Sequence, residues 1–173
     1  HLVGEGAPLR SMIEARRIPS FILWGPPGVG KTTLAQIVAN SLEVPFYTLS
    51  AVTSGVKDVR DVIQKAENNR FFSSASPILF IDEIHRFSKS QQDSLLGAVE
   101  KGTVTLIGAT TENPSFEVIR PLLSRCQLYV LKSLEKDDLA KLLRNAIEKD
   151  VVLSKRDIVI EESDALMRYS GGD

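Results

Sequence analysis

The segment that decides the fold reads Gly25-Pro26-Pro27-Gly28-Val29-Gly30-Lys31-Thr32, and it directly follows the apolar run Phe21–Trp24. This order predicts a strand, a glycine-rich turn and a helix that opens with Lys31 and Thr32. Backbone N–H groups in such a turn cradle phosphates, and the helix adds the positive end of its dipole. Lys31 suits the β- and γ-phosphates, and the Thr32 hydroxyl suits Mg²⁺. The predicted phosphate-binding residues are Gly25, Pro26, Pro27, Gly28, Val29, Gly30, Lys31, Thr32 and Thr33.

A second apolar run supports this interpretation. The run Ile78–Ile81 is followed by Asp82 and Glu83, and a continuous apolar run is typical of a strand buried in a parallel sheet. Ligands of open α/β sheets bind at the carboxyl ends of the strands, so Asp82 and Glu83 are expected beside the glycine-rich turn. Asp82 suits the shell of Mg²⁺, and Glu83 suits the base that orients a water toward the γ-phosphate. Together the two motifs predict the binding and hydrolysis of ATP.

Composition narrows the class of protein. The chain has 173 residues, of which 43% are hydrophobic and 25% are charged, as in globular proteins. No apolar stretch has the length of a membrane span, and the start of the chain does not resemble a signal peptide, so we expect a cytoplasmic protein without membrane contact. A single cysteine, Cys126, excludes an internal disulfide and fits a reducing compartment. The net charge of −1 gives no argument for nucleic-acid binding.

Strand and helix patterns alternate along residues 1–131, which predicts an α/β core with a parallel five-stranded sheet flanked by helices. The predicted strands are Phe21–Trp24, Pro45–Leu49, Ile78–Ile81, Val104–Gly108 and Leu128–Leu131. The predicted helices are Pro8–Arg17, Lys31–Leu42, Val56–Asn68, Ser88–Lys101 and Ser115–Leu123. Residues 132–173 show only helical patterns, at Glu135–Lys149 and Ile160–Tyr169, so we expect a boundary near Lys132–Leu134 and part of a small helical domain after it.

Two longer strings are more specific. Residues 82–93 read Asp-Glu-Ile-His-Arg-Phe-Ser-Lys-Ser-Gln-Gln-Asp, and residues 107–116 read Ile-Gly-Ala-Thr-Thr-Glu-Asn-Pro-Ser-Phe. Both resemble the replication-associated recombination protein A family (RarA, also called MgsA) in the clamp-loader branch of the AAA+ ATPases, which includes the Werner-helicase-interacting protein. The resemblance covers nearly the whole chain. It implies a P-loop NTPase (AAA+) core with a truncated N-terminus, followed by a truncated all-helical lid domain, in a fragment of a longer protein.

The resemblance also implies roles for residues outside the two motifs. Thr111 matches the first sensor, a polar group near the γ-phosphate, and Thr110 is its close rival. Arg125, in the Ser-Arg-Cys string, matches the arginine finger that reaches the nucleotide of a neighbouring subunit. A guanidinium in that position would stabilise charge on the phosphoryl oxygens in the transition state. Lys57 and Arg60 open a helix that faces DNA in clamp loaders, which makes them candidate phosphate contacts.

Two further side chains near the predicted site have plainer interpretations. His85 completes an Asp-Glu-x-His string, but its position favours a hydrogen-bonding group at the exit of the strand. Ser50, at the end of the second predicted strand, is a candidate to orient Glu83.

The family implies a DNA-dependent ATPase that maintains replication forks and acts in recombination and repair. The implied partners are DNA forks, gaps and single-strand/duplex junctions, a single-strand-binding protein, and further copies of the chain in a tetramer, in a nucleoid-associated bacterial protein. A clamp-loader subunit and a RuvB-like branch-migration motor remain alternatives among ATPases. A nucleotide-gated DNA-binding scaffold is the alternative outside enzymes.

Overall fold

The computed structural model describes residues 8–70, 75–133 and 136–149, and the predicted helix Ile160–Tyr169 lies outside them. The chain divides into two compact units, His1–Gly25 with Gly30–Leu131, and Pro26–Val29 with Lys132–Asp173. One division follows Leu131, beside the boundary predicted near Lys132–Leu134, while Pro26–Val29 belong to the second unit. That the two units are separate domains stays a prediction.

A parallel sheet forms the centre of the first unit. Its strands run in the order β2-β3-β4-β1-β5, with every neighbouring pair parallel, so the predicted α/β fold class is confirmed. The five strands are β1 Phe21–Trp24, β2 Phe46–Ser50, β3 Ile78–Asp82, β4 Thr105–Thr110 and β5 Gln127–Val130. Because β1 and β3 lie on either side of β4, the residues that follow these three strands meet at one edge.

Helices complete the described structure, and most lie near their predicted bounds. They are α1 Pro8–Glu14, α2 Lys31–Leu42, α3 Val56–Arg70, α4 Lys89–Glu100, α5 Pro114–Glu117, α6 Arg120–Leu123 and, in the second unit, α7 Lys136–Lys149. Helix α1 ends earlier than predicted, before Arg16, whose left-handed φ of 52° interrupts the helical backbone. Helix α4 opens with a capping box, in which the side chains of Ser88 and Gln91 each accept from the other's backbone N–H. Among the described residues, no helix is long and apolar enough to cross a membrane.

Alternation along the strands places apolar side chains on both faces of the sheet. One face carries Ile22, Leu79 and Leu106, which join a buried cluster that includes residues of α3 and α4. Helix α2 packs on β3 and β4 and buries its own apolar stripe. Cys126 packs at the border of the cluster, where burial raises the pKa of its thiol to about 11. The thiol therefore stays protonated at neutral pH and acts as a packing group.

The prediction of a single helix over Ser115–Leu123 is wrong, because the segment forms α5 and α6 with two extended residues between them. Pro121 has no N–H to continue a helix from α5, so the second helix restarts around it. The side chain of Gln92, a residue that is 1% exposed, stabilises the backbone between α5 and α6. Its Nε2 donates to the carbonyl of Glu117 at 3.0 Å, and its Oε1 accepts from the N–H of Ile119 at 2.8 Å.

Candidate functional site

The glycines of the phosphate loop serve two different physical needs. Gly25 is buried at the end of β1, and a Cβ at this position would lie 2.5 Å from the carbonyl oxygen of Leu131. Gly25 also donates its N–H to the carbonyl of Thr110 at 3.1 Å, which ties the loop entrance to β4. Gly28 and Gly30 have φ of 75° and 87°, a left-handed conformation that side chains disfavour. Glycine is thus required for close packing at Gly25 and for backbone conformation at the other two positions.

Gly25→Ala is expected to destabilise the protein by about 1–3 kcal/mol, because the added methyl overlaps backbone atoms that cannot rotate away. Its affinity for Mg·ATP should fall as well, since the overlap shifts the start of the loop. Gly97→Ala is the matched control: Gly97 lies within α4, and its Cβ would have no neighbour within 4 Å. Alanine there should be neutral or stabilising. Thermal unfolding and nucleotide titration of both variants check the prediction, and equal melting temperatures for the two would contradict it.

Lys31 is nearly enclosed at the start of α2. Its side chain is 8% exposed, and its Nζ donates to the carbonyl oxygen of Gly25 at 2.9 Å. Burial lowers the pKa of Lys31 below its usual 10.5, while the negative charges of Glu83 and Asp82 act in the opposite direction. Lys31 therefore lies within electrostatic reach of both carboxylates that follow the apolar run of β3. The order of β3, β4 and β1 likewise brings the residues that follow the two apolar runs to one edge of the sheet, and their common role in binding a nucleotide stays a prediction.

Glu83 is held in an uncommon backbone conformation just after β3. Its φ of 54° and ψ of 44° are left-handed, which costs a non-glycine residue on the order of 1 kcal/mol. Its N–H donates to Oδ1 of Asp82 at 3.1 Å, and its carboxylate lies 3.2 Å from Nε2 of His85 and 3.9 Å from Nε of Arg86. His85 and Arg86 thus contact the carboxylate of Glu83. Within the described residues, no hydrogen bond joins Ser50 to this carboxylate. Backbone strain of this kind is concentrated at functional sites.

Two adjacent threonines at the end of β4 are placed differently. Thr110 is fully buried, and its Oγ1 lies 3.0 Å from Nδ1 of His85 and within hydrogen-bond distance of both the N–H and the carbonyl of Glu112. Thr111 lies one residue beyond the strand and is partly exposed. Because the Thr110 hydroxyl is already engaged inside the protein, Thr111 is the better placed of the two to meet a ligand.

The residues predicted to hold Mg²⁺ have suitable chemistry. Thr32 is exposed on the first turn of α2, and Asp82 is partly exposed at the end of β3. Across residues 8–70, 75–133 and 136–149 there is no group of three or more His, Cys, Asp or Glu side chains that could enclose a metal. Mg²⁺ does not need one, since it commonly takes one or two protein oxygens and completes its shell with phosphates and water. Thr32 and Asp82 therefore fit this ion.

Arg125 lies just beyond α6, apart from the carboxylates of β3. Its guanidinium forms an ion pair with Glu100, at the end of α4, and its Nη1 donates to the carbonyl of Pro121 at 2.6 Å. The side chain is 38% exposed, so it remains accessible from outside the subunit. Arg125 is thus held at the surface by groups of its own chain, and its action on a neighbouring subunit stays a prediction.

The candidate DNA contacts lie at the start of α3. Lys57 and Arg60 are both exposed on its first two turns. The loop before this helix is fixed to α4, because Nε2 of Gln91 donates to the carbonyl of Ser54 at 2.8 Å. Both basic residues therefore project from a supported helix end that follows the carboxyl end of β2.

Comparison with known proteins agrees with this geometry. Residues 21–134 match the family model described as "ATPase family associated with various cellular activities (AAA)". The whole chain is 50% identical to a replication-associated recombination protein A of Haemophilus influenzae, and 99% of it is 48% identical to an ATPase WRNIP1 of Dictyostelium discoideum. The chain spans 39% of the first relative and 20% of the second. The resemblance to this family seen in the sequence is confirmed.

Solved structures agree on the fold. A Thermotoga maritima RuvB, titled a Holliday junction branch migration motor, is 30% identical with a TM-score of 0.65. That likeness covers 81% of this chain and 47% of the RuvB chain.

Proposed function

Because the chain belongs to the ATPase family associated with various cellular activities (AAA), we propose that it binds Mg·ATP and hydrolyses the bond between the β- and γ-phosphates. The observation that carries the proposal is that the residues following β1 and β3 lie at the same edge of the sheet, where Lys31 is buried and hydrogen-bonded to the carbonyl of Gly25 and where Asp82 and Glu83 lie at the end of β3. A lysine and two carboxylates at the carboxyl edge of a parallel sheet are what phosphoryl transfer to water requires. Lys31 attracts the phosphates, Asp82 binds the metal ion, and Glu83 orients the attacking water.

Each residue has one task in this proposal. The N–H groups of the loop and Lys31 hold the phosphates, while Thr32 and Asp82 hold Mg²⁺, which when bound supplies charge neutralisation. Glu83 orients and polarises the attacking water, and its left-handed backbone fixes the direction from which it can do so. Thr111 contacts the γ-phosphate, and Arg125 reaches the nucleotide of the next subunit.

We further propose that DNA regulates the hydrolysis. The relative from Haemophilus influenzae is named a replication-associated recombination protein, and the Thermotoga maritima RuvB is titled a Holliday junction branch migration motor. With a net charge of −1, the chain has no overall attraction for DNA, so contacts must come from local groups such as Lys57 and Arg60, repeated in an oligomer. The proposed partners are forked or gapped DNA, single-strand/duplex junctions, a single-strand-binding protein and copies of the chain in a tetramer.

An ATPase assay tests the DNA proposal. The complete polypeptide to which this sequence belongs (hereafter the intact protein) is assayed without DNA and with single-stranded, blunt, gapped, forked and four-way-junction DNA. Forked or gapped DNA is expected to raise the turnover most. Strongest stimulation by the four-way junction would favour a RuvB-like motor instead, and one equal rate under all conditions would contradict regulation by DNA.

The basic residues of α3 give a second expected result. The double variant Lys57→Ala with Arg60→Ala should weaken DNA binding on every sequence and lower the salt dependence of log K by about 2, one for each phosphate that the variant no longer neutralises. Lys65→Ala is the control, since Lys65 is an exposed cation farther along the same helix. A salt dependence that is equal in the double variant and the wild type would remove this surface from the proposal.

A further inference from the structure

His85 connects two parts of the site that are far apart in sequence. It lies in the short 3₁₀ turn Ile84–Arg86 after β3, and its side chain is 12% exposed. Its Nε2 is 3.2 Å from Oε2 of Glu83, and its Nδ1 is 3.0 Å from Oγ1 of Thr110. Both ring nitrogens are therefore engaged, one by the carboxylate after β3 and the other by the last residue of β4.

The turn that carries His85 is fixed by packing. Ile84 is fully buried and lies over Gly108 in β4, where a Cβ would be 3.2 Å from Cδ1 of Ile84. The N–H of Arg86 donates to the carbonyl of Glu83 at 2.8 Å, which closes the turn. Because the backbone before and after His85 is held, movement of its ring away from Thr110 would leave the buried Thr110 hydroxyl without this partner.

The hydrogen-bond chemistry gives this chain of groups a direction. An ionised carboxylate can only accept, so the Nε2–H of His85 donates to Glu83 whether the ring is neutral or protonated. The Thr110 hydroxyl has one proton and two acceptors within reach, Nδ1 of His85 at 3.0 Å and the carbonyl of Glu112 at 3.1 Å. When Nε2 carries the proton of the neutral ring, Nδ1 can only accept, so the hydroxyl proton that pairs with it comes from Thr110, whose oxygen accepts the N–H of Glu112 at 3.0 Å. Donors then point in one direction from the loop after β4 to the carboxylate, and such chains polarise one another.

We propose that His85 is a positioning residue that couples the loop after β4 to the orientation of Glu83. The inference rests on the proposed role of Glu83 in hydrolysis. Thr111, the residue proposed to meet the γ-phosphate, is bonded covalently between Thr110 and Glu112, so movement of that loop reaches Glu83 through one imidazole ring. Arg86 is the weaker partner of the carboxylate, because it is 58% exposed and 3.9 Å away.

Kinetics of four variants test the coupling in the intact protein. His85→Ala is expected to lower kcat by about tenfold to a hundredfold with little change in KM for ATP, because misplacement of a reacting group affects the chemical step. Thr110→Val keeps the volume but loses the hydroxyl, and it should lower kcat in the same way. Thr110→Ser keeps the hydroxyl and should restore most of the rate. The double variant His85→Ala with Thr110→Val should be no slower than His85→Ala alone, because both changes break one chain.

A measurement that does not depend on turnover guards against a folding defect. In the ¹⁵N spectrum of the intact protein, the imidazole signals of His85 are those that disappear in His85→Asn. Thr110→Val should shift the Nδ1 signal of His85, and Glu83→Gln should shift its Nε2 signal. Spectra that neither variant alters would overturn the proposal, as would additive losses of kcat in the double variant. An inactive Glu83→Gln beside a fully active His85→Ala would sink the coupling alone, whereas hydrolysis that survives in Glu83→Gln would sink the proposed function.

Discussion

Glu83→Gln is expected to lower ATP turnover by about a hundredfold or more while Mg·ATP affinity stays near that of the wild type. The amide has the size of the carboxylate and can still accept a hydrogen bond from His85, which lies 3.2 Å away in the wild type. It cannot take up a proton or polarise a water as an anion does. Single-turnover hydrolysis and nucleotide titration measure the two effects separately.

Glu43→Gln is the matched control for this variant. Glu43 caps α2 with φ of 57° and ψ of 40°, nearly the backbone conformation of Glu83, but it is exposed and remote in sequence from both motifs. Its variant should turn over ATP at the wild-type rate. Equal losses in the two variants would mean that left-handed backbone strain, and not the chemistry of the carboxylate, explains the effect.

Glu83→Gln also distinguishes an ATP-driven motor from a nucleotide-gated scaffold. A scaffold that needs only to bind ATP should keep its activity in cells when Glu83→Gln blocks hydrolysis. A motor should lose that activity. We expect loss, because Glu83, which has a strained backbone, and the buried Lys31 lie at the same edge of the sheet, each next in sequence to a proposed metal ligand, which is more than nucleotide binding alone requires.

The sheet could be predicted from sequence because its information is local. β1 begins and ends at the predicted residues, and the other strands lie within a few residues of their predicted bounds, because apolar runs of this length in an alternating α/β pattern have one stable arrangement. The prediction for Ser115–Leu123 follows the helical apolar spacing and passes over Pro121, which is a local signal for a break. The sequence does not show that the two extended residues are held by the buried side chain of Gln92, more than twenty residues earlier in the chain.

The candidate site also contains residues that local motifs predict and contacts that depend on tertiary packing. Lys31, Asp82 and Glu83 belong to motifs whose order along the chain implies that they meet, and the strand order β3-β4-β1 places them at the same edge of the sheet. The contact of His85 with Thr110 spans 25 residues and depends on how Ile84 packs over Gly108. The Asp-Glu-x-His string identified the residue, yet the pattern indicated a hydrogen-bonding group without naming its partners. Glu83 is a local partner, whereas Thr110 becomes one through the register of β3 against β4 together with the packing of Ile84 over Gly108.

Arg125→Ala is expected to lower turnover by about a thousandfold or more in the oligomer, the effect of removing an arginine finger. Stability should change little, because the ion pair with Glu100 that the variant removes is exposed, and exposed pairs contribute about 0–1 kcal/mol. Arg10→Ala is the control, since Arg10 is also exposed and pairs with Glu14 at 3.0 Å. That variant should lose neither turnover nor appreciable stability.

Mixing variants distinguishes action on a neighbour from action within one subunit. Arg125→Ala subunits keep an intact phosphate loop, while Lys31→Ala subunits keep an intact Arg125, so each variant lacks what the other supplies. If Arg125 acts in trans, a one-to-one mixture should recover about a quarter of the sites, because half have Lys31 and half of those meet a neighbour with Arg125. A mixture as inactive as its components, under conditions in which the wild type exchanges subunits, would confine Arg125 to its own chain and leave the pair with Glu100 as a purely structural contact.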